Sequence, residues 1–63
     1  MDKLLYTEFE THGLLGISRS SLRKLMSDRR IVPLKIGRSI RFRRESIEKL
    51  VSALEAEAHA DGR

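Results

Sequence analysis

The sequence predicts a small, mainly α domain carrying one β-hairpin, in the order helix, tight turn, helix, two-stranded hairpin, helix. Three observations lead there. Apolar residues recur at helical spacing in two separate stretches, 22–26 and 47–54. Between those stretches, residues 34–43 alternate apolar and basic side chains, the period-2 pattern of half-buried strands. Ahead of the first stretch, a Thr-x-x-Glu box, a glycine and a serine punctuate the chain as helix ends do.

The first helix is expected over 8–15. Thr7 and Glu10 have capping-box spacing, so each side chain can satisfy the other's backbone amide. Gly16 stops the helix, because glycine tolerates the left-handed conformation after a last turn. Gly13, inside it, costs about 1 kcal/mol against alanine. Ser18 is a good N-cap for a second helix, on which Leu22, Leu25 and Met26 form one apolar stripe. Arg19, Ser20, Arg23, Lys24 and Ser27 take the rest of that cylinder. So short a glycine-containing link is the helix-turn-helix pattern, with the two helices crossing steeply.

Pro33 forbids helix and favours extended backbone just before it. The hairpin follows, with Gly37, Arg38 and Ser39 as its loop. A three-residue loop pairs Ile36 with Ile40 and Leu34 with Phe42, which puts all four apolar side chains on one face. The other face then sets Lys35 opposite Arg41, with Arg43 beyond and Arg38 at the tip. From Glu45 the period is helical again: Ile47, Leu50, Val51 and Leu54 line one side. The expected core is Leu22, Leu25, Met26, Ile36, Phe42, Ile47, Leu50 and Leu54, with Phe9 added to it. The domain is read as 1–54, and 55–63 as an acidic, alanine-rich tail that frays and is disordered near Gly62. A hairpin after a helix-turn-helix is a wing, so the fold class is a winged helix-turn-helix.

Composition narrows the function. The chain has 63 residues and no cysteine. It is one domain near the lower size limit for folding without a disulfide or metal, and a cysteine-based zinc site is ruled out. No apolar run approaches the roughly 20 residues of a membrane span. The N-terminal apolar patch is too short and acidic for a signal peptide, so the cytoplasm is the expected compartment. The net charge of +4 hides a strong segregation: residues 19–44 carry +9, residues 1–18 carry −2 and residues 45–63 carry −3. A basic middle between acidic ends gives a directional field and implies a polyanionic partner. Like charges facing each other across a strand pair are destabilising alone. A row of them is reasonable where an anion lies against it. Cations that only guard a hairpin edge need be one or two.

The stretch "YTEFETHGLLGISRSSLRKLMSDRRIVPLKIGRSIRFRRESIEKLV" resembles the small MerR-like winged-helix domains of phage and mobile-element excisionases, a domain that AlpA-type phage regulators share. The likeness rests on Thr-x-x-Glu, on Leu-Leu-Gly-Ile-Ser-Arg-Ser, and on "KIGRSIRFRRESIEKL" leading into the last helix. It covers about residues 5–54. The family pattern has a small aliphatic pair in the middle of the first helix, where this chain has Thr11 and His12. The resemblance implies double-stranded DNA as partner. The second helix would enter the major groove with Arg19, Ser20, Arg23 and Lys24. The wing would track the backbone or a minor groove with Lys35, Arg38, Arg41 and Arg43, aided by Ser18 and Ser39. An arginine at the helix start can bond guanine O6 and N7. Wing cations on phosphates set register and affinity without reading sequence. Arg38, at the tip, is placed to enter a narrow minor groove.

Two DNA transactions fit the resemblance. An excisionase binds repeated sites beside an attachment site, bends the DNA and directs an integrase, a tyrosine or serine recombinase, toward excision in a bacterial host, where it would be nucleoid-associated. A phage-type transcriptional regulator uses the same domain. The absence of an effector domain or long dimerisation helix favours the first. The acidic last helix of one copy could lie against the basic wing of the next, giving head-to-tail self-association on DNA. Other classes fit poorly. His12 and His59 have no ligand-spaced neighbours, so no metal site or cofactor is expected, nor a small-molecule ligand. The chain has no nucleophile constellation, and so small a domain has little room for a sheltered pocket, so no catalysis is expected. Aromatics are too few for a stacking platform on RNA or single strands. A protein-binding module would have to match its +9 segment to an acidic protein.

Overall fold

Thr7 opens the first helix as its side chain requires. Its Oγ1 accepts from the Glu10 amide at 3.0 Å, and the Glu10 carboxylate accepts from the Thr7 amide at 2.9 Å, completing the capping box. The computed structural model describes residues 2–60. The first helix, α1 (Glu8–Leu15), ends where Gly16 turns to φ +68°. There the Ile17 amide reaches back to the His12 carbonyl and the Gly16 amide to that of Gly13, the paired bonds of a Schellman cap. The second helix, α2 (Arg19–Ser27), starts on Ser18, whose Oγ accepts from the Ser21 amide at 3.1 Å. It ends in the same paired-bond motif, Arg30 N to Leu25 O and Arg29 N to Met26 O, but the left-handed residue is Arg29 at φ +62°.

The hairpin joins β2 (Leu34–Ile36) to β3 (Ser39–Arg43), and α3 (Arg44–Ala60) follows directly. A further strand that the sequence did not suggest, β1 (Leu5–Tyr6), pairs antiparallel with the other side of β3, so the sheet order is β1-β3-β2. Tyr6 faces Phe42 across that pair and both are buried. The core is Tyr6, Leu22, Ile31, Phe42, Ile47 and Leu50, with Leu15, Ile17, Leu25 and Met26 packed against it. The sheet, α2 and the first half of α3 thus close on one another around Phe42 and Leu22.

Several expectations change. The hairpin register is one residue off: Leu34 pairs with Arg41, Lys35 with Ile40 and Ile36 with Ser39. The loop is only Gly37 and Arg38, with Gly37 at φ +60°. A glycine in that first position suits a two-residue type II′ turn, whose twist matches that of the strands, and this outweighs burial of β2's apolar side chains. Partners across a strand pair share a face, so Leu34 and Ile36 lie with Ser39 and Arg41 on the outer face, and Ile36 is 51 % exposed instead of being core. The row of Lys35 opposite Arg41 does not form. Phe9 is 77 % exposed, resting edge-on against the His12 ring, because the inward side of α1 is carried by Thr11 and Leu15. Leu54 is exposed too, since the apolar stripe of α3 outlasts the body it packs on. The residues read as a fraying tail are helical as far as Ala60, and Arg30 forms an ion pair with Glu57 there. The expected disorder near Gly62 lies outside the described residues.

Candidate nucleic-acid interface

The polar side of α2 is built by subtraction. Leu22 is fully buried, and Leu25 and Met26 are turned toward the core. Of the polar residues that remain, Arg19, Ser20, Arg23, Lys24 and Ser27 are set by their spacing along one side of the helix, and Ser21 lies apart from them, bonded to the N-cap. Thr11 sits buried beneath the motif and is satisfied locally, its hydroxyl donating to the Thr7 carbonyl at 2.7 Å. His12 Nδ1 donates to the Ile17 carbonyl at 3.2 Å, which ties the ring to the turn. Of the pair that departs from the aliphatic pattern, His12 therefore ties α1 to the turn, while Thr11 bonds back within α1 to its own N-cap.

Among the described residues, Arg19, Arg23, Arg30 and Arg43 of the basic segment are held by acids. Glu8, in the first turn of α1, accepts through Oε1 from Arg19 Nε at 3.1 Å and from Arg23 Nη2 at 3.5 Å. Burial pushes the Glu8 carboxyl up, but the hydrogen bonds and charges of the two guanidiniums outweigh it and hold the group below its ordinary value. Arg30 pairs with Glu57, and Arg43 with Glu45 at 3.4 Å, where Lys49 also approaches at 3.7 Å. Sequence reasoning missed the role of Glu8, because 11 and 15 residues separate it from its partners and only the fold brings them together.

The wing residues divide by position. Arg38 occupies the turn, with Lys35 on the face of Ile40 and Arg41 on the opposite face with Leu34 and Ile36. The Arg41 guanidinium donates to the Ile40 carbonyl at 2.9 Å, which folds it along its own strand. Arg43 lies at the far end of β3, opposite Leu5 in β1, about 16 Å along the strand from the turn by strand rise. It therefore belongs to the body of the domain and not to the hairpin tip. Ser18 is occupied as the α2 cap, donating also to Ser21 Oγ at 3.0 Å, and Ser39 pairs with Ile36 beside the turn. Among the described residues no acid pairs with Lys24, Arg29, Lys35, Arg38 or Arg41, which run from the end of α2 to the wing.

Among the described residues, no group of three His, Cys, Asp or Glu side chains could hold a metal ion, and no helix is long and apolar enough to cross a membrane. A protein-family model described as a helix-turn-helix domain matches residues 5–54. No curated protein and no solved structure gives a significant match.

Proposed function

The chain belongs to the helix-turn-helix domain family, a DNA-binding unit whose second helix enters the major groove, and from that premise we propose that it is an excisionase. In this reading it binds repeated duplex sites beside an attachment site, bends them and favours excision by a partner integrase. It supplies architecture and carries out no chemical step of its own. The observation that carries the reading is the open polar side of α2, Arg19, Ser20, Arg23 and Lys24, continuous in sequence with the basic run to the wing. Arg19 and Arg23 meet base edges. Lys35, Arg38 and Arg41 take phosphates, and Ser39 beside the turn lies near the backbone.

Head-to-tail contact between copies on DNA is part of this proposal, with one change to its acids. Glu45 and Glu57 are occupied by Arg43, Lys49 and Arg30 within one copy, which leaves Glu48 and Glu55 of α3 to meet the next copy's wing.

Selection from a randomised duplex library, followed by binding to single and tandem copies of the enriched site, tests the whole reading. Cooperative occupancy of the tandem site with bending supports an excisionase. Independent occupancy without bending supports the transcriptional regulator. Within either, Arg41→Ala lowers affinity for all duplexes alike and reduces the salt slope by about 0.9, the share of the one phosphate left without a cation. Arg23→Ala instead relaxes preference at one or two base pairs.

A further inference from the structure

We propose that Glu8 is a specificity-determining positioning residue: it holds Arg19 and Arg23 so that they serve base edges in preference to phosphates. The inference rests on the DNA-binding reading above. Arg19 and Arg23 are one turn apart on α2, where two like charges repel. A single carboxylate oxygen lies between them, at 3.1 Å from Arg19 Nε and 3.5 Å from Arg23 Nη2. The carboxylate side chain is only 21 % exposed, while the two arginines are 65 % and 63 % exposed. The anion is therefore held in the angle between α1 and α2, and the cations extend outward from it.

The nitrogen that each arginine uses matters. Arg19 is held through Nε, so its two terminal nitrogens remain available as a fork. Such a fork matches guanine O6 and N7 without releasing the carboxylate. Arg23 is held through a terminal nitrogen at a longer distance, which is the weaker grip. On random DNA the nearest partner for either arginine is a phosphate. Swinging to a phosphate gives up that arginine's bond to Glu8, and when both swing they leave an unpaired, largely buried carboxylate beside a polyanion. Glu8 thus penalises the sequence-independent mode and leaves the base-reading mode intact. The lowered Glu8 pKa keeps the carboxylate charged at neutral pH, as this role requires.

The test is Glu8→Gln, with duplex enriched from a randomised library by the wild-type protein as specific probe and scrambled duplex as the other. Removing the carboxylate frees one cation for a phosphate. Scrambled-duplex affinity should then rise by up to about 8-fold at 0.1 M salt, with a salt slope steeper by up to about 0.9. Affinity for the enriched duplex should change by less than about 3-fold, because stronger phosphate attraction and looser positioning oppose one another. At the full 8-fold rise the specificity ratio therefore falls by about 3- to 24-fold. Arg19→Lys keeps the charge without the fork, so the ratio should fall by at least about 5-fold through lost affinity for the enriched duplex. Thermal unfolding of both variants is measured alongside. If wild-type protein enriches no sequence, the DNA-reading function falls and this inference with it. If a sequence is enriched and Glu8→Gln keeps the wild-type ratio, or weakens both duplexes equally as a purely structural role would, the inference alone is overturned.

Discussion

Arg29→Gly should stabilise the domain while weakening its hold on DNA. Two helices of this chain end in the same cap. Glycine occupies the left-handed position at Gly16, φ +68°, but arginine occupies it at Arg29, φ +62°. A residue with a Cβ in that region costs about 1–2 kcal/mol. Glycine removes that strain but gives back about 0.5–1 kcal/mol through its greater freedom in the unfolded chain. The Arg29 side chain is exposed and pairs with no acid among the described residues, so its removal costs little packing. The net is about 0.5–1 kcal/mol of stabilisation, or roughly 2–8 °C in melting temperature for a domain of this size. Circular dichroism at 222 nm, a helix signal, would follow the melt. In parallel, the salt slope of duplex binding should fall by about 0.9 if Arg29 meets a phosphate. A lower melting temperature would refute the strain account and make the arginine side chain part of the fold.

Leu22→Ala should cost about 2–5 kcal/mol, because the side chain is fully buried, and Leu25→Ala distinctly less, since its site is only partly covered; urea midpoints compare them, and equal losses would contradict the packing. Ile36→Thr should change stability by less than about 0.5 kcal/mol in the observed register, where the side chain is exposed, whereas Phe42→Ala should cost about 3–5 kcal/mol. A large loss at Ile36 would restore the three-residue loop. Acid sensitivity follows from Glu8 and Glu10, whose carboxyls are both held below their ordinary values, Glu10 by the Lys3 hydrogen bond and the Thr7 amide. Groups depressed by folding contribute stability above the unfolded value of about 4.3 and lose it as pH falls through the lower folded value. Stability should therefore drop below about pH 4.3, and less steeply in Glu8→Gln/Glu10→Gln; an unchanged slope would place the acid sensitivity elsewhere.

The parts of the fold legible in sequence are those fixed by short-range chemistry. Thr7 and Glu10 cap α1, Gly16 ends it and Ser18 caps α2, and each decision involves atoms within five residues. The stripe of Leu22, Leu25 and Met26 also identifies the inner side of α2 correctly, and with it the outward set Arg19, Ser20, Arg23 and Lys24. What failed was set by geometry at a distance or by one dihedral angle. β1 is two residues long and exists as a strand only because β3 lies beside it. The wing register turned on whether Ser39 belonged to the loop. With Gly37 at φ +60° it pairs with Ile36 instead, and that one-residue slip moved Leu34 and Ile36 to the outer face. Tyr6 and Ile31 entered the core in place of Ile36, Phe9 and Leu54 for the same reason: burial follows where an element docks, and periodicity supplies only which side could dock.

The ion pairs then give the basic segment an internal division that net charge conceals. Counted in sequence, ten cations between residues 19 and 44 are equivalent contributors to a positive field. In the fold, Arg19 and Arg23 share Glu8, Arg30 is held by Glu57 and Arg43 by Glu45, whereas Lys24, Arg29, Lys35, Arg38 and Arg41 have no acidic partner among the described residues. A cation without a partner reaches a phosphate at the cost of side-chain ordering alone. One already paired must also give up its acid, so its net gain is smaller. On the proposed reading, sequence-independent affinity therefore comes mainly from the end of α2 and the wing, and the two paired arginines at the start of α2 contribute chiefly where a base edge rewards them. The domain would hold any duplex through one set of cations and discriminate through the other, with the boundary between them drawn by Glu8.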